Sequence, residues 1–116
     1  MNPSQTFTLQ YYTARNGKDY YNEWLSALDD RTRARVLRQL EKLERGIGYQ
    51  KPLENKLWEL VIELGPGYRV YFTKDGDEII VVLAGSDKSQ QKRTIALARK
   101  LIKEIEEDRT LRERRN

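Results

Sequence analysis

The sequence contains no cysteine and no histidine among its 116 residues. Without cysteine the chain can form neither disulfides nor thiolate metal sites. Without histidine it lacks the usual zinc ligand and the side chain that most often transfers protons near neutral pH. We therefore predict no metal ion and no cofactor. Any acid–base chemistry must use lysine, glutamate, aspartate or tyrosine.

Long apolar runs are also missing. No run approaches the ~20 residues of a transmembrane helix, and the first ten residues are polar and lack the apolar core of a signal peptide. We therefore predict a cytoplasmic protein that does not bind a membrane. The length fits one domain, which we place at residues 1–108, followed by a basic, disordered tail over residues 109–116.

The charge is unevenly distributed. The net charge is only +4, from 22 basic and 18 acidic residues. Between residues 86 and 103, however, Asp87 is the single acid among six basic residues: Lys88, Lys92, Arg93, Arg99, Lys100 and Lys103. A polyanionic partner and a merely solvated basic surface both fit this pattern.

The first half of the chain predicts one strand and two helices. Residues 6–13 are rich in β-branched and aromatic residues, as in a strand. Residues 19–28 predict a short helix, and a second helix begins at Asp29 or Asp30 and ends near Arg45. Its apolar stripe contains Val36, Leu40, Leu43 and Ile47. The opposite face carries Arg31, Arg35, Arg38, Lys42 and Arg45 at helical spacing.

The second half predicts a three-stranded meander over residues 57–64, 68–73 and 79–84, then a helix capped by Ser89. A three-residue loop, 65–67, would place Glu63 opposite Arg69. Asp75-Gly76 predicts a two-residue hairpin loop. With that loop, the core face would receive Ile79, Val81 and Leu83, while Ile80 and Val82 would lie exposed on the other face, beside Tyr71 and Arg69.

Three segments of this meander together resemble one family. They are Leu57-Trp58-Glu59-Leu60, the turn and strand Gly65-Pro66-Gly67-Tyr68-Arg69-Val70-Tyr71-Phe72, and the segment Leu83-Ala84-Gly85-Ser86-Asp87-Lys88-Ser89-Gln90-Gln91. The chain resembles the RelE/ParE toxin superfamily, and within it the HigB-type, phage-derived addiction module killer branch. The resemblance covers most of the chain. It implies an α+β fold, a RelE-like twisted antiparallel sheet with two N-terminal helices and a C-terminal helix.

The resemblance also implies a function. Members of this superfamily are toxins held inactive by a cognate antitoxin, for which we predict a helix-turn-helix protein. We expect the antitoxin to cover the Arg69/Tyr71 face or the last helix, because an exposed Ile80 and Val82 would need cover. The leading interpretation is ribosome-dependent cleavage of messenger RNA. Two alternatives stay open, a gyrase-poisoning toxin without catalysis and an inactive module that only binds an antitoxin, because one fold serves several functions.

The resemblance selects candidate site residues. Arg69 matches the arginine of the family's Gly-Tyr-Arg strand and would stabilise phosphate charge; Lys88 matches the lysine after the last strand and would hold phosphate or transfer a proton. Tyr71 would stack on a base. Further RNA contacts are predicted for Lys56, Lys92 and Arg93. The resemblance also makes the basic face of the second helix either a ribosome-binding surface or a merely solvated face.

Each candidate also has a structural interpretation. Arg69 could pair with Glu63 across the hairpin, Lys88 could only solvate the start of the helix, and Tyr71 could pack within the sheet. One position departs from the branch, since Val61 stands where an arginine is usual. Lys56 is the candidate replacement for that missing charge.

Overall fold

The computed structural model describes residues 6–115, so the first five residues of the predicted domain and the last residue of the predicted tail lie outside it. Five strands form one sheet in the order β1-β5-β4-β3-β2. The strands β2 to β5 pair antiparallel, and β1 joins β5 in parallel. The elements are β1 Thr8–Tyr11, α1 Tyr20–Ser26, α2 Asp30–Glu44, β2 Gln50–Glu54, β3 Leu57–Ile62, β4 Tyr68–Asp75, β5 Ile79–Asp87 and α3 Gln91–Arg115. The predicted α+β fold is confirmed, with one parallel edge that was not foreseen.

Aspartate caps begin both N-terminal helices, and the cap at Asp29 is one of the two residues predicted for α2. The Asp19 carboxylate accepts a hydrogen bond from the Asn22 backbone N–H at 2.9 Å. The Asp29 carboxylate accepts one from the Thr32 N–H at 2.8 Å. Each bond satisfies an N–H that has no partner within its own helix. The prediction for Ile47 was wrong, since α2 ends before it and its side chain is 48% exposed.

Helices α1 and α2 cover one side of the sheet, called here the apolar face. The stripe of α2 is confirmed for Val36, Leu40 and Leu43, all buried. They belong to one cluster with α1 and with the strand residues Leu60, Ile62, Val70, Phe72, Ile80 and Val82. The burial of this continuous apolar surface is the main source of the fold's stability.

Helix α3 covers the opposite side, called here the α3 face. Ala98, Leu101 and Ile102 are buried there against the sheet. Their partners from the strands are Leu57, Tyr71, Val81, Leu83 and Ala84. The domain thus has two helical layers with the sheet between them.

The β3–β4 loop is longer than predicted. Ile62 pairs with Tyr68, and Val61 with Arg69, so five residues separate the strands instead of three. Gly65 and Gly67 both have positive φ, 53° and 86°, which allows the wider turn. The predicted pairing of Glu63 with Arg69 was therefore wrong. Because the register of β3 against β4 differs from the predicted one by two residues, the side chains of these two strands still point to their predicted faces.

The β4–β5 hairpin changes the faces of β5. Asp75 pairs with Ile79, which leaves a three-residue loop instead of the predicted Asp75-Gly76 loop. An odd shift in register exchanges the two faces of a strand. Ile80 and Val82 are consequently fully buried on the apolar face, while Val81 and Leu83 face α3. The predicted exposure of Ile80 and Val82 was wrong.

Two further segments differ from the prediction. Strand β2 was not predicted, because Lys51, Pro52 and Glu54 show neither apolar alternation nor β propensity. Helix α3 continues to Arg115, beyond Asp108, where the sequence predicted disorder. An Arg109–Asp75 ion pair with a 2.9 Å N···O distance links this extension to the β4–β5 hairpin.

None of the helices described is both long and apolar enough to cross a membrane.

Candidate functional site

Arg69 and Lys88 lie in one open cleft at the end of the sheet where α3 begins. The cleft, called here the Arg69 cleft, has a volume of about 370 Å³ and is lined by Glu63, Leu64, Gly65, Pro66, Gly67, Arg69 and Lys88. A Cβ built on Gly67 would lie 3.7 Å from the Arg69 Nη1 atom and 3.9 Å from the Lys88 Cβ atom. The two predicted catalytic side chains therefore flank the same glycine.

The backbone around Lys88 is fixed by local hydrogen bonds. The Lys88 N–H donates to the Gly67 carbonyl oxygen at 3.0 Å, which joins the end of β5 to the β3–β4 loop. The Asp87 carboxylate accepts from the Ser89 N–H at 2.9 Å and from the Ser89 hydroxyl at 2.6 Å. These bonds hold the short 3-10 turn before α3, so Lys88 projects from a rigid base at the cleft. Its side chain is exposed and has no ionic partner among the described residues.

The Arg69 side chain is only 16% exposed, and it lies beside a buried carboxylate. Arg69 Nε is 3.9 Å from Glu59 Oε2, and neither atom has a hydrogen-bond partner. Arg69 Nη1 donates to the Tyr68 carbonyl oxygen at 3.1 Å. The other oxygen of Glu59 forms an ion pair with Lys51 Nζ on β2 at 3.3 Å. A buried charge is costly unless it is paired, so Glu59 holds two cations towards itself from the two neighbouring strands.

Tyr71 lies beneath α3 and is 0% exposed. Its hydroxyl is 3.5 Å from the Ser86 hydroxyl. Burial raises the pKa of this hydroxyl above its usual range, while its hydrogen bonds to Ser86 and Gln91 act against the rise. A ring packed in this way presents no face to a nucleotide base, so the arrangement fits the packing interpretation of Tyr71.

Lys56 lies far from the Arg69 cleft. It follows β2 in a left-handed conformation with φ 68°. Its Nζ atom is 2.6 Å from Glu106 Oε2 on α3. Val61 is four strand residues beyond Leu57, or roughly 13 Å, and its side chain is buried. Lys56 therefore does not supply a cation at the position of Val61.

Lys92 and Arg93 extend the positive charge beyond Lys88. Both lie in the first turn of α3 and are exposed. Neither forms an ion pair with any residue that the structure describes. The structure thus brings four of the six predicted site residues to one end of the sheet, namely Arg69, Lys88, Lys92 and Arg93.

Sequence reasoning missed the carboxylate beside Arg69. The predicted register made Glu63, and not Glu59, the partner of Arg69. The actual register puts Glu59 opposite Tyr71, two residue pairs from the pair of Val61 with Arg69 and on the same face of the sheet. Glu63 instead lines the Arg69 cleft as an exposed carboxylate with no described ionic partner. Whether Glu63 or Glu59 lies beside Arg69 depends only on the length of the β3–β4 loop. No residue pattern in the sequence determined that length.

The described residues contain no group of three or more acidic side chains that could hold a metal ion. Arg69 and Lys88 can bind anions, but neither is a metal ligand at neutral pH. What the cleft offers chemically is therefore charge stabilisation and proton transfer by amino-acid side chains.

The family model for phage-derived Gp49-like proteins (DUF891) matches residues 23–107, which include both helical layers and the Arg69 cleft. The chain belongs to this Gp49-like family. A protein of Haemophilus influenzae (strain ATCC 51907 / DSM 11121 / KW20 / Rd), itself an uncharacterized protein, is 33% identical over 87 residues. That match covers 73% of this chain and 88% of the relative.

The Gp49-like family is RelE-like and often toxin-like. Membership therefore agrees with the fold described above and with a toxin-like context. In this Gp49-like chain the match extends through β3, β4 and β5 and into α3. These are the elements that carry Glu59, Arg69 and Lys88.

Proposed function

We propose that this Gp49-like protein is the toxin of a type II toxin–antitoxin pair, of the HigB type, and that it inhibits translation by cleaving messenger RNA on the ribosome. The observation that carries the proposal is the meeting of Arg69 and Lys88 around Gly67 in an open cleft. A guanidinium matches the geometry of a phosphate, and Lys88 adds a second cation. The protein would act in the cytoplasm, where messenger RNA and the ribosome are found.

The cleavage would need no metal ion. The 2′-hydroxyl of the RNA loses its proton, its oxygen attacks the adjacent phosphorus, the bond to the 5′-oxygen breaks, and that oxygen gains a proton. Arg69 would stabilise the negative charge on the phosphorus-bound oxygens. Lys88 would protonate the leaving oxygen or hold the phosphate. Glu63, exposed in the same cleft, is the carboxylate that would accept the proton of the 2′-hydroxyl.

The test compares variants during induction in cells. We expect Arg69→Ala to remove growth inhibition and the new messenger RNA ends that primer extension detects. Loss of one charge-stabilising group costs on the order of 3 kcal/mol, or roughly a hundredfold in rate. The matched control is Lys100→Ala, which removes an exposed charge from α3 outside the cleft. Full toxicity of Arg69→Ala at equal soluble expression would exclude this role for Arg69.

A toxin without ribonuclease activity is the second candidate, and Val61 is the observation that favours it. The family's usual cation is absent at Val61, and Lys56 does not replace it because it is bound to Glu106. A gyrase supercoiling assay on the purified protein separates the two mechanisms. Inhibited supercoiling with unchanged messenger RNA ends would support gyrase poisoning. Absence of both effects would support an inactive module that binds an antitoxin.

We also propose that the cognate antitoxin, a helix-turn-helix protein, covers the Arg69 cleft with an acidic segment. Exposed apolar side chains do not support such a cover, because Ile80 and Val82 are buried. Unpaired positive charge does support it, because Lys88, Lys92 and Arg93 have no described acidic partner and would attract an acidic segment. The double variant Lys92→Glu/Arg93→Glu should weaken co-purification with the antitoxin, most clearly at low salt. An unchanged complex would place the antitoxin elsewhere.

A further inference from the structure

A small pocket adjoins the Arg69 cleft where the β3–β4 loop begins. It is called here the Tyr49 pocket and has a volume of about 160 Å³, less than half that of the Arg69 cleft. Glu63 and Leu64 line both cavities. The other side chains that line the pocket include Arg35, Gln39, Tyr49 and Ile62. A group attached to a ligand in the cleft can therefore enter the pocket directly.

Tyr49 offers this pocket an aromatic ring on a fixed backbone. The residue is 55% exposed, and its ring stacks on no other ring of the described chain. Its carbonyl oxygen accepts a hydrogen bond from the Val61 N–H at 2.8 Å, which ties the residue to β3. A tyrosine held in this way can stack on another flat ring at a low cost in conformational entropy.

Gln39 offers the pocket hydrogen-bonding groups. It lies on α2 and is partly exposed, and its amide has no hydrogen-bond partner among the described residues. Neither of its amide atoms is buried, so both are open to a ligand. A glutamine amide has donors and an acceptor in one plane and can bond to two neighbouring groups on the edge of a base. The Tyr49 pocket thus combines a surface for stacking with a group that can recognise a base edge.

An RNA strand bound as proposed above would bring a base to this pocket. Glu63 would contact the 2′-hydroxyl of one nucleotide, and the carbon that bears this hydroxyl is bonded to the carbon that bears the base. The base of that nucleotide therefore lies next to Glu63. Because Glu63 also lines the Tyr49 pocket, the base can enter the pocket while Arg69 and Lys88 hold the phosphate.

We propose that the Tyr49 pocket binds one unpaired base of the RNA, which stacks on Tyr49 and forms hydrogen bonds with Gln39. Single-stranded RNA is recognised in this way, by stacking on aromatic rings and by hydrogen bonds to base edges. A base fits better than a segment of a protein partner, because the pocket has room for little more than one ring system and adjoins the two cations of the cleft. The inference rests on the proposed function and adds to it a site that selects the base beside the cut.

The test measures binding of short RNAs to purified full-length protein. All proteins carry Arg69→Ala, so that toxicity does not limit expression and no cleavage is needed. The probes are four single-stranded RNA trinucleotides that differ only in the central base, titrated to millimolar concentration while amide NMR signals are followed. The pocket variant is Gln39→Ala/Tyr49→Leu. The matched control, Gln10→Ala/Tyr11→Leu, changes exposed residues of the same types on β1, at the opposite edge of the sheet from β2. Circular dichroism melting checks that both variants are folded.

We expect the probes to shift the amide signals of Gln39, Tyr49 and Leu64. The pocket variant should bind at least roughly fivefold more weakly than its parent, as expected for the loss of one stacked base, while the control should bind as tightly as the parent. The parent should distinguish the four probes. Gln39→Ala alone should reduce that distinction, whereas Tyr49→Phe, which keeps the ring, should preserve it.

Three results would each overturn the proposal: no shift with any probe, equal affinity of the parent for all four probes, or equal losses in variant and control. It would also be overturned if the pocket variant kept its affinity for RNA but no longer bound the antitoxin, because the pocket would then serve a protein partner.

Failure of the proposed function is a separate result. If Arg69→Ala keeps full toxicity, the assignment of the cleft is wrong, yet the difference in RNA binding between the two double variants still decides the role of the Tyr49 pocket.

Discussion

The two sides of this sheet are built from the same strands but bury different kinds of side chain. On the apolar face, α1 and α2 pack on aliphatic and aromatic residues such as Leu60, Val70 and Phe72. On the α3 face lie the buried polar residues of the described chain, Glu59, Thr73, Ser86 and Thr94. Buried polar groups cost stability unless they are fully paired. Two atoms of charged groups on the α3 face, Glu59 Oε2 and Arg69 Nε, have no hydrogen-bond partner, while on the apolar face the neutral hydroxyl of Tyr21 has none. The comparison indicates that the apolar face supplies stability and that the α3 face gives up some stability to place Arg69.

The largest effect is expected on the apolar face. Leu43→Ala removes a side chain of α2 that is fully buried against the sheet. The cavity should lower the free energy of unfolding by about 2–5 kcal/mol, measured by urea denaturation. A loss below about 1 kcal/mol would mean that this face does not dominate stability and would break the comparison.

A smaller effect is expected where α1 approaches β5. A Cβ on Gly85 would overlap the indole ring of Trp24, so Gly85→Ala must displace α1. Overpacking of this kind costs about 1–3 kcal/mol, again measured by urea denaturation. The same change in a Trp24→Ala background should cost clearly less, because the ring that it meets is gone. Equal costs in both backgrounds would show that Gly85 is needed for another reason.

On the α3 face we expect function to change more than stability. Glu59→Gln keeps the volume of the side chain but removes the charge that attracts Arg69 and Lys51. The free energy of unfolding should fall by about 1–3 kcal/mol, because Arg69 loses its buried counter-charge, while the proposed toxicity and RNA cleavage should fall because Arg69 also loses its orientation. Glu63→Gln should leave stability unchanged, as its carboxylate is exposed. If Glu59→Gln keeps full activity, Glu59 does not position Arg69.

The smallest effect concerns the attachment of α3 at high pH. The Tyr12 hydroxyl donates a hydrogen bond to Glu104 at 3.0 Å. Burial, together with that bond, raises the pKa of Tyr12 from 10.0 to about 12. Between these values the unfolded chain releases a proton that the folded protein retains, so stability falls as the pH rises from about 10 to about 12. Melting temperatures measured across this range should fall less steeply for Tyr12→Phe, and equal slopes would assign the loss to other tyrosines.

The sequence predicted most elements of the fold, because their signals are local. Asp29 caps α2, and the stripe of Val36, Leu40 and Leu43 marks the buried face of that helix. Prediction from the sequence failed where a difference of one loop residue decides which face of a strand is buried. One extra residue in the β4–β5 loop moved Ile80 and Val82 from the exposed face to the core. Loop length depends on how the finished strands pack, so short turn motifs do not determine it.

Only part of the candidate site was predicted, because the positions of its residues depend on how the strands and α3 pack together. Arg69 and Lys88 were found through a resemblance of motifs, and the sheet brings them together around Gly67. Lys56, just before the strand, was proposed to replace the charge that is missing at Val61, but it lies at the opposite end of β3 from Val61. Tyr71 shares the face of Arg69, yet whether a helix covers that face depends on the path of α3, which periodicity does not reveal.

The parallel pairing of β1 with β5 has a consequence for the order of folding. Thr8 and Ile79 pair although they are 71 positions apart in the chain, whereas β3, β4 and β5 are joined by short loops. Closing a long segment costs more entropy than closing a hairpin, so contacts between distant residues tend to form late. We expect the β3–β4–β5 meander to gain protection in pulsed hydrogen exchange before β1 does. Earlier or simultaneous protection of the amides of β1 would contradict this order.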